Sequence, residues 1–232
     1  MKKNKIIYVF DAYCSWCYGM SSVMEKTEDK YKDTFEFEVI SGGMIPEDKT
    51  VDDVAKKFNN PRESYNRVMK MTGQSISDTY IDMMEAPGKY DYTFNSVYPA
   101  RAMVTLKHFT PDHEIQQAKA IQDLVYIDLL DLTKTDSYKS VAENFGIDWK
   151  AFVHRFESEN SLEEAKYEFH LARQLEVTSY PAVLIQTGDQ YFYLIARGYT
   201  PFEELDERIQ NILKEKSNEN GIAPPEIKKH DL

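Results

Sequence analysis

The chain has 232 residues, 42% of them hydrophobic, which is enough to fill one elaborated domain or a domain carrying a large insertion. Lys and Arg number 28 against 39 Asp and Glu; the net charge of -11 argues against nucleic acid or an anionic membrane surface as the main partner. The two cysteines exclude a stabilising disulfide framework, because a bridge across two intervening residues closes almost no loop.

Residues 1–5 are basic, but only the five apolar residues Ile6 to Phe10 follow before Asp11. That is short of a signal-peptide core of about 7–15 residues. No run approaches the roughly 20 apolar residues of a membrane span. A cytoplasmic location is therefore expected, and thiols there are ordinarily kept reduced. The apolar run reads instead as a buried first strand over residues 5–10, followed by a helix over 16–31. Residues 35–41 alternate, with Phe35, Phe37 and Val39 set against Glu36, Glu38 and Ile40, and read as a second strand that Gly42-Gly43 ends. A lone Gly-Gly of this kind is ordinarily a turn.

The next 120 or so residues read as helical. Thr50-Val51-Asp52-Asp53 pairs a capping hydroxyl with an acidic third residue, and Asn60-Pro61-Arg62-Glu63 sets cap, proline and glutamate in order, with Gly73 closing the helix. Residues 99–109 and 111–132 follow as longer helices, then 137–145, 149–157, and a helix from a Ser161-Leu162-Glu163-Glu164 capping box to about 175. A strand pattern returns in Ala182-Val183-Leu184-Ile185, with a turn at Thr187-Gly188-Asp189-Gln190 and a second hairpin arm over 191–196. Thr200-Pro201-Phe202-Glu203 opens a helix to about residue 216, and the polar stretch 217–232 reads as a disordered tail. Strand–helix–strand, a helical stretch, then hairpin and helix is the order of an α/β thioredoxin-like fold with a large helical insertion between its second and third strands. The division is residues 1–48 and 176–216 for the thioredoxin-like part and 49–175 for the insertion.

The cysteines, Cys14 and Cys17, flank Ser15-Trp16 at the junction of first strand and first helix. A helix N-terminus carries about half a positive charge and favours a thiolate, the attacking species in disulfide exchange. A thiol pair at such a junction has the arrangement of a redox site. Half of a structural zinc site would need four ligands, and the five histidines lie far away in sequence with no zinc-ligand spacing to the pair. Buried structural thiols are the plainer alternative. Pro181 stands where this fold places a cis-proline facing the redox pair; an ordinary proline opening an edge strand would be the simpler reading of Pro181 alone, but not beside the two cysteines. Asp11 is a candidate proton acceptor for Cys17, although an aspartate at a strand end more often caps or turns the chain.

Asp11-Ala12-Tyr13-Cys14-Ser15-Trp16-Cys17-Tyr18-Gly19 resembles the signature of the DsbA-like thioredoxin family, in particular its intracellular FrnE-like branch. Gly42-Gly43, Ser96-Val97-Tyr98-Pro99-Ala100 and Val177-Thr178-Ser179-Tyr180-Pro181 extend the resemblance over residues 5–214. It implies a thiol-disulfide oxidoreductase with Cys14 as nucleophile, Cys17 as resolving thiol and Pro181 in cis, with substrate docking beside Trp16, Tyr180 and Pro181. Its partners would be a thiol or disulfide substrate protein or a small thiol, glutathione included, with no metal or organic cofactor. Two departures stand out: Ser15-Trp16 replaces the Pro-His of the periplasmic oxidase, and Tyr180 is bulky where a small or β-branched residue is common. Two other readings fit the same scaffold. One is a glutathione-dependent transferase or isomerase of the kappa or chromene-carboxylate type, which has no need of Cys17; the other is a redox-sensing adaptor without catalysis.

Overall fold

The computed structural model describes residues 4–188 and 191–219. Strand β1 (Asn4–Phe10) runs into helix α1 (Ser15–Tyr31), and β2 (Phe35–Ser41) returns parallel to β1. There follow β3 (Lys49–Thr50), α2 (Val51–Ala55), α3 (Pro61–Thr72), α4 (Asp78–Glu85) and β4 (Thr93–Phe94). Next come α5 (Val97–Phe109), α6 (Glu114–Tyr126), α7 (Lys139–Asn144), α8 (Trp149–Phe156) and α9 (Glu159–Gln174), and the chain closes with β5 (Ala182–Thr187), β6 (Tyr191–Arg197) and α10 (Phe202–Glu219). The main sheet has the order β2-β1-β5-β6, with β5 antiparallel to both neighbours. This is a thioredoxin-like fold with a helical segment between the second and third strands of that sheet.

β1 is covered on both faces, which is why it reads as a continuous apolar run. Ile6, Tyr8 and Phe10 pack into a core shared with α1 and helices of the inserted segment, while Ile7 and Val9 pack with Ala172 of α9, Val177 and Leu184. The short β3–β4 ladder joins Lys49 and Thr50 to Phe94 and Thr93, closing the α2–α4 segment at its base.

Several expected boundaries move. The helix expected over 111–132 splits into a 3-10 turn, Pro111–His113, and α6, which ends at Tyr126. There the amides of Ile127 and Asp128 both fold back to the Asp123 carbonyl, and Leu129 adopts a left-handed backbone at φ 52°. Ser161 does not open its helix: α9 starts at Glu159 behind Ser158, whose hydroxyl accepts the Ser161 amide, and buried Ser161 donates to the Phe156 carbonyl at 2.6 Å. α10 continues past 216 to Glu219, no glycine or proline interrupting it before Gly221; the rest of the expected tail, 220–232, and Asp189-Gln190 of the hairpin turn lie outside the described residues. Helix α4 falls in the stretch expected to be helical, and Ser77, a start signal the sequence analysis did not single out, caps it by accepting the Tyr80 amide.

Candidate active site

The sheet register assembles the site. Val9 pairs with Ala182, so Pro181, the residue before Ala182, lies where β1 ends and the cysteine turn begins. Cys14 is the N-cap of α1, extended at φ -89° and ψ 107°, with its amide bonded to the Asp11 carbonyl at 3.1 Å. Its thiol donates to the carbonyl of Tyr180, 166 residues away, at 3.5 Å. The Tyr180–Pro181 peptide bond is cis. Pro181 is buried, and its carbonyl accepts the Gly198 amide at 2.7 Å.

The two cysteines, both free thiols, differ in access. Cys14 keeps 8% of its surface exposed, whereas Cys17, within the first turn of α1, is fully covered. Burial pushes the Cys17 thiol well above its ordinary range, and its contacts with the Cys14 sulfur push it the same way. Tyr8, on the core face of β1, donates to the Cys17 carbonyl at 3.0 Å. Cys17 is therefore held as a neutral thiol beneath Cys14.

Asp11 lies at the end of β1 with 2% of its surface exposed. Its carboxylate accepts the amides of Tyr13 at 3.0 Å and Met44 at 2.7 Å and the hydroxyl of Ser96 at 3.1 Å. Burial raises this carboxyl, and the hydrogen bonds oppose the rise. The Asp11 backbone carbonyl also accepts Gln122 Nε2 at 3.3 Å. Trp16 is half-buried, its ring 6.3 Å from that of Tyr199 in the loop before α10.

Tyr180 lies across Gly42. Its hydroxyl donates to the Gly42 carbonyl at 2.7 Å, and a Cβ on Gly42 would come within 2.1 Å of the ring. Burial, followed by the nearby Asp11 and Cys17, pushes that hydroxyl up to about 12, so it remains a donor. Gly43, at φ 71°, meets the Phe169 ring in the same way. The Gly-Gly pair is thus more than a turn: it admits two aromatic rings from the far end of the chain.

Sequence reasoning placed Asp11, Cys14, Trp16, Cys17, Tyr180 and Pro181 among the candidate residues, and the fold brings all six to the carboxyl end of β1. It missed Ser96 and Gln122, which reach Asp11 from α5 and α6. Gln122 carried a signal, a polar residue on the apolar face of a helix; Ser96 carried none beyond its motif. Among the described residues, no group of three or more His, Cys, Asp or Glu side chains could hold a metal ion, and no helix is long and apolar enough to cross a membrane.

The chain belongs to the family of DSBA-like thioredoxin domains, whose model matches residues 5–210. No curated protein matches the sequence. Among solved structures it is similar to a protein from Nitrosomonas europaea, provisionally named a protein disulfide isomerase, with 23% identity, a TM-score of 0.79 and coverage of 92% of this chain and 99% of that one. The cytosolic disulfide reductase DsbM from Pseudomonas aeruginosa has 17% identity, a TM-score of 0.70 and coverage of 92% and 99%, and was also solved with GSH. A 2-hydroxychromene-2-carboxylate isomerase has 13% identity, a TM-score of 0.62 and coverage of 92% and 98%. At these identities the likeness is one of fold.

Proposed function

We propose that this protein is an enzyme exchanging thiols and disulfides through Cys14 and Cys17, with Cys14 attacking and Cys17 resolving. The supporting observation is the asymmetry of the pair: Cys14 is the N-cap residue with residual exposure, and Cys17 is fully buried in sulfur contact beneath it. In the reducing direction the Cys14 thiolate attacks one sulfur of a substrate disulfide. A Cys14–substrate disulfide forms, and the other substrate sulfur leaves as a thiolate. Cys17 then gives up its proton, which the departing thiolate takes, and attacks the Cys14 sulfur. The second substrate sulfur leaves as a thiolate, which takes a proton from solvent, and a Cys14–Cys17 disulfide remains. Two electrons have passed to the substrate, and two molecules of a small thiol such as glutathione return the pair to its reduced state. The oxidising direction is the reverse.

Trp16, Tyr180 and Pro181 form the docking surface of this reading, since the Tyr180 carbonyl is the backbone group beside the reacting sulfur. No metal or organic cofactor has a role in it. A reducing, cytoplasmic setting fits a dithiol resting state, and the similar Pseudomonas protein is described as cytosolic.

The test is reduction of a protein disulfide such as that of insulin. Wild-type protein should catalyse it, Cys14→Ser should not, and Cys17→Ser should accumulate a mixed disulfide at Cys14. Catalysis that survives Cys14→Ser would end the proposal. A glutathione-dependent isomerase is the second reading, favoured by the fold shared with the chromene-carboxylate enzyme. It predicts an activity that requires glutathione and persists in Cys17→Ser.

A further inference from the structure

Asp11 joins three segments that the exchange chemistry needs in register. Oδ1 takes the amide of Tyr13, from the turn that carries Cys14, and the hydroxyl of Ser96, from the start of α5. Oδ2 takes the amide of Met44, from the loop after β2, at 2.7 Å. Ser96 in turn accepts the Ile45 amide at 3.0 Å, so the loop after β2 is held twice. That same loop begins with Gly42, against which Tyr180 lies, and the Tyr180 carbonyl is what the Cys14 thiol meets. One buried side chain therefore relates the cysteine turn to the segment across from it.

An ionised carboxylate is acceptor-only and has about four lone-pair sites. Three protein donors from three segments hold it here, two of them backbone amides. A proton arriving from Cys17 would turn this acceptor-only group into a neutral acid and weaken the charge-assisted bonds that the Tyr13 and Met44 amides and the Ser96 hydroxyl make to it. We propose that Asp11 is a positioning residue for the thiol pair: as a carboxylate it clamps the Cys14 turn to the loop of residues 42–45, and thereby to Tyr180, and it exchanges no proton with Cys17. This role rests on the thiol-exchange reading of the same site.

The test compares the rate at which Cys14 forms a mixed disulfide with glutathione disulfide in a Cys17→Ser background, with and without Asp11→Asn. Asparagine keeps an acceptor for Tyr13 and Ser96 but turns an amino group toward the Met44 amide. A clamp predicts a loss of roughly tenfold or more even though Cys17 is absent. Ser96→Ala should lose severalfold in the same background, and Ser96→Thr, which keeps the hydroxyl, should recover most of that loss. Proton exchange with Cys17 predicts instead that Asp11→Asn is silent without Cys17 and slow only when Cys17 is present, and that result overturns the proposal. If Asp11→Asn does not fold, the Ser96 pair decides, and equal rates for serine, alanine and threonine count against the clamp. If the Cys17→Ser parent forms no mixed disulfide, the oxidoreductase reading has failed. The clamp then stands or falls on iodoacetamide modification of Cys14, whose rate Ser96→Ala must change at least threefold.

Discussion

Two buried polar centres lie near one end of this sheet, and they are built on opposite principles. Along the outer edge of β2, Glu114 accepts the Val39 amide at 2.6 Å, Glu168 accepts the Ser41 amide at 2.8 Å, and Lys107 donates to the Val39 carbonyl at 2.7 Å. Lys107 also pairs with Glu168. The three side chains, from α6, α9 and α5, occupy the hydrogen-bonding positions that another strand would take, and so close an edge open to pairing. Burial would lower the Lys107 ammonium, but Glu168 and Glu114 outweigh it and hold the group above its ordinary value. At the end of β1, by contrast, Cys14 makes a hydrogen bond of 3.5 Å to a carbonyl, and Cys17 is a neutral thiol pushed upward by burial. In the first centre charge is matched and the strand edge is sealed, as a structural device requires. In the second the sulfur atoms are held by few bonds and Cys14 keeps the pair's residual exposure, which is what the proposed exchange calls for.

Mutations should separate the two centres. The largest effect expected is on activity: Cys14→Ser should abolish disulfide exchange while leaving the unfolding free energy from urea melts within about 0.5 kcal/mol of wild type. Lys107→Met should do the opposite. It leaves Glu168 without its cation and the Val39 carbonyl without its donor, and breaking such a pair costs about 3–5 kcal/mol. The exchange rate per folded molecule should stay at the wild-type level, and a fall in that rate would show that the two centres are coupled.

A third measurement uses pH. Burial raises the Glu114 carboxyl to about 7 from its ordinary 4.5. The folded state thus holds this proton more tightly than the unfolded chain, so its contribution is complete below about pH 4.5 and is lost as pH rises through 7. The difference corresponds to about 3 kcal/mol. Glu114→Gln, which still accepts the Val39 amide, should flatten that fall between pH 4.5 and 7.5 in urea melts at fixed ionic strength. An unchanged slope would show that Glu114 is ionised throughout. Smallest of the four is Gly42→Ala. Its new Cβ meets the Tyr180 ring, and crowding of this kind costs about 1–3 kcal/mol. It also moves the carbonyl that faces Cys14, so the exchange rate should fall along with stability, tying the glycine to the active centre rather than to the sealed edge.

Much of this was legible in the residues because it is local. The cysteine spacing, the apolar run of β1, the alternation of β2 and the caps at Thr50 and Asn60 each act within a few positions. Pairwise contacts across the fold were not. Tyr180 stood out as a bulky residue before Pro181, but its packing on Gly42 needs the fold to bring together positions 138 apart. The Ser96–Asp11 bond spans 85 positions and depends on how α5 enters the core. The end of α6 was overrun because no glycine or proline marks it; the left-handed residue there is Leu129, which no propensity would select. Glu114, Lys107 and Glu168 carry no local signal; three helices set them against one strand.

The account depends most on Cys14 and Cys17 forming a reversible couple. The direct measurement is equilibration of the protein in buffers of reduced and oxidised glutathione, with the thiols trapped by acid and the Cys14–Cys17 bridge counted by mass. A single two-electron transition is predicted, with the bridge absent in Cys14→Ser and in Cys17→Ser and a potential that tells whether the enzyme reduces or oxidises its substrates. Failure of the bridge to form at any glutathione ratio in folded protein would contradict the account.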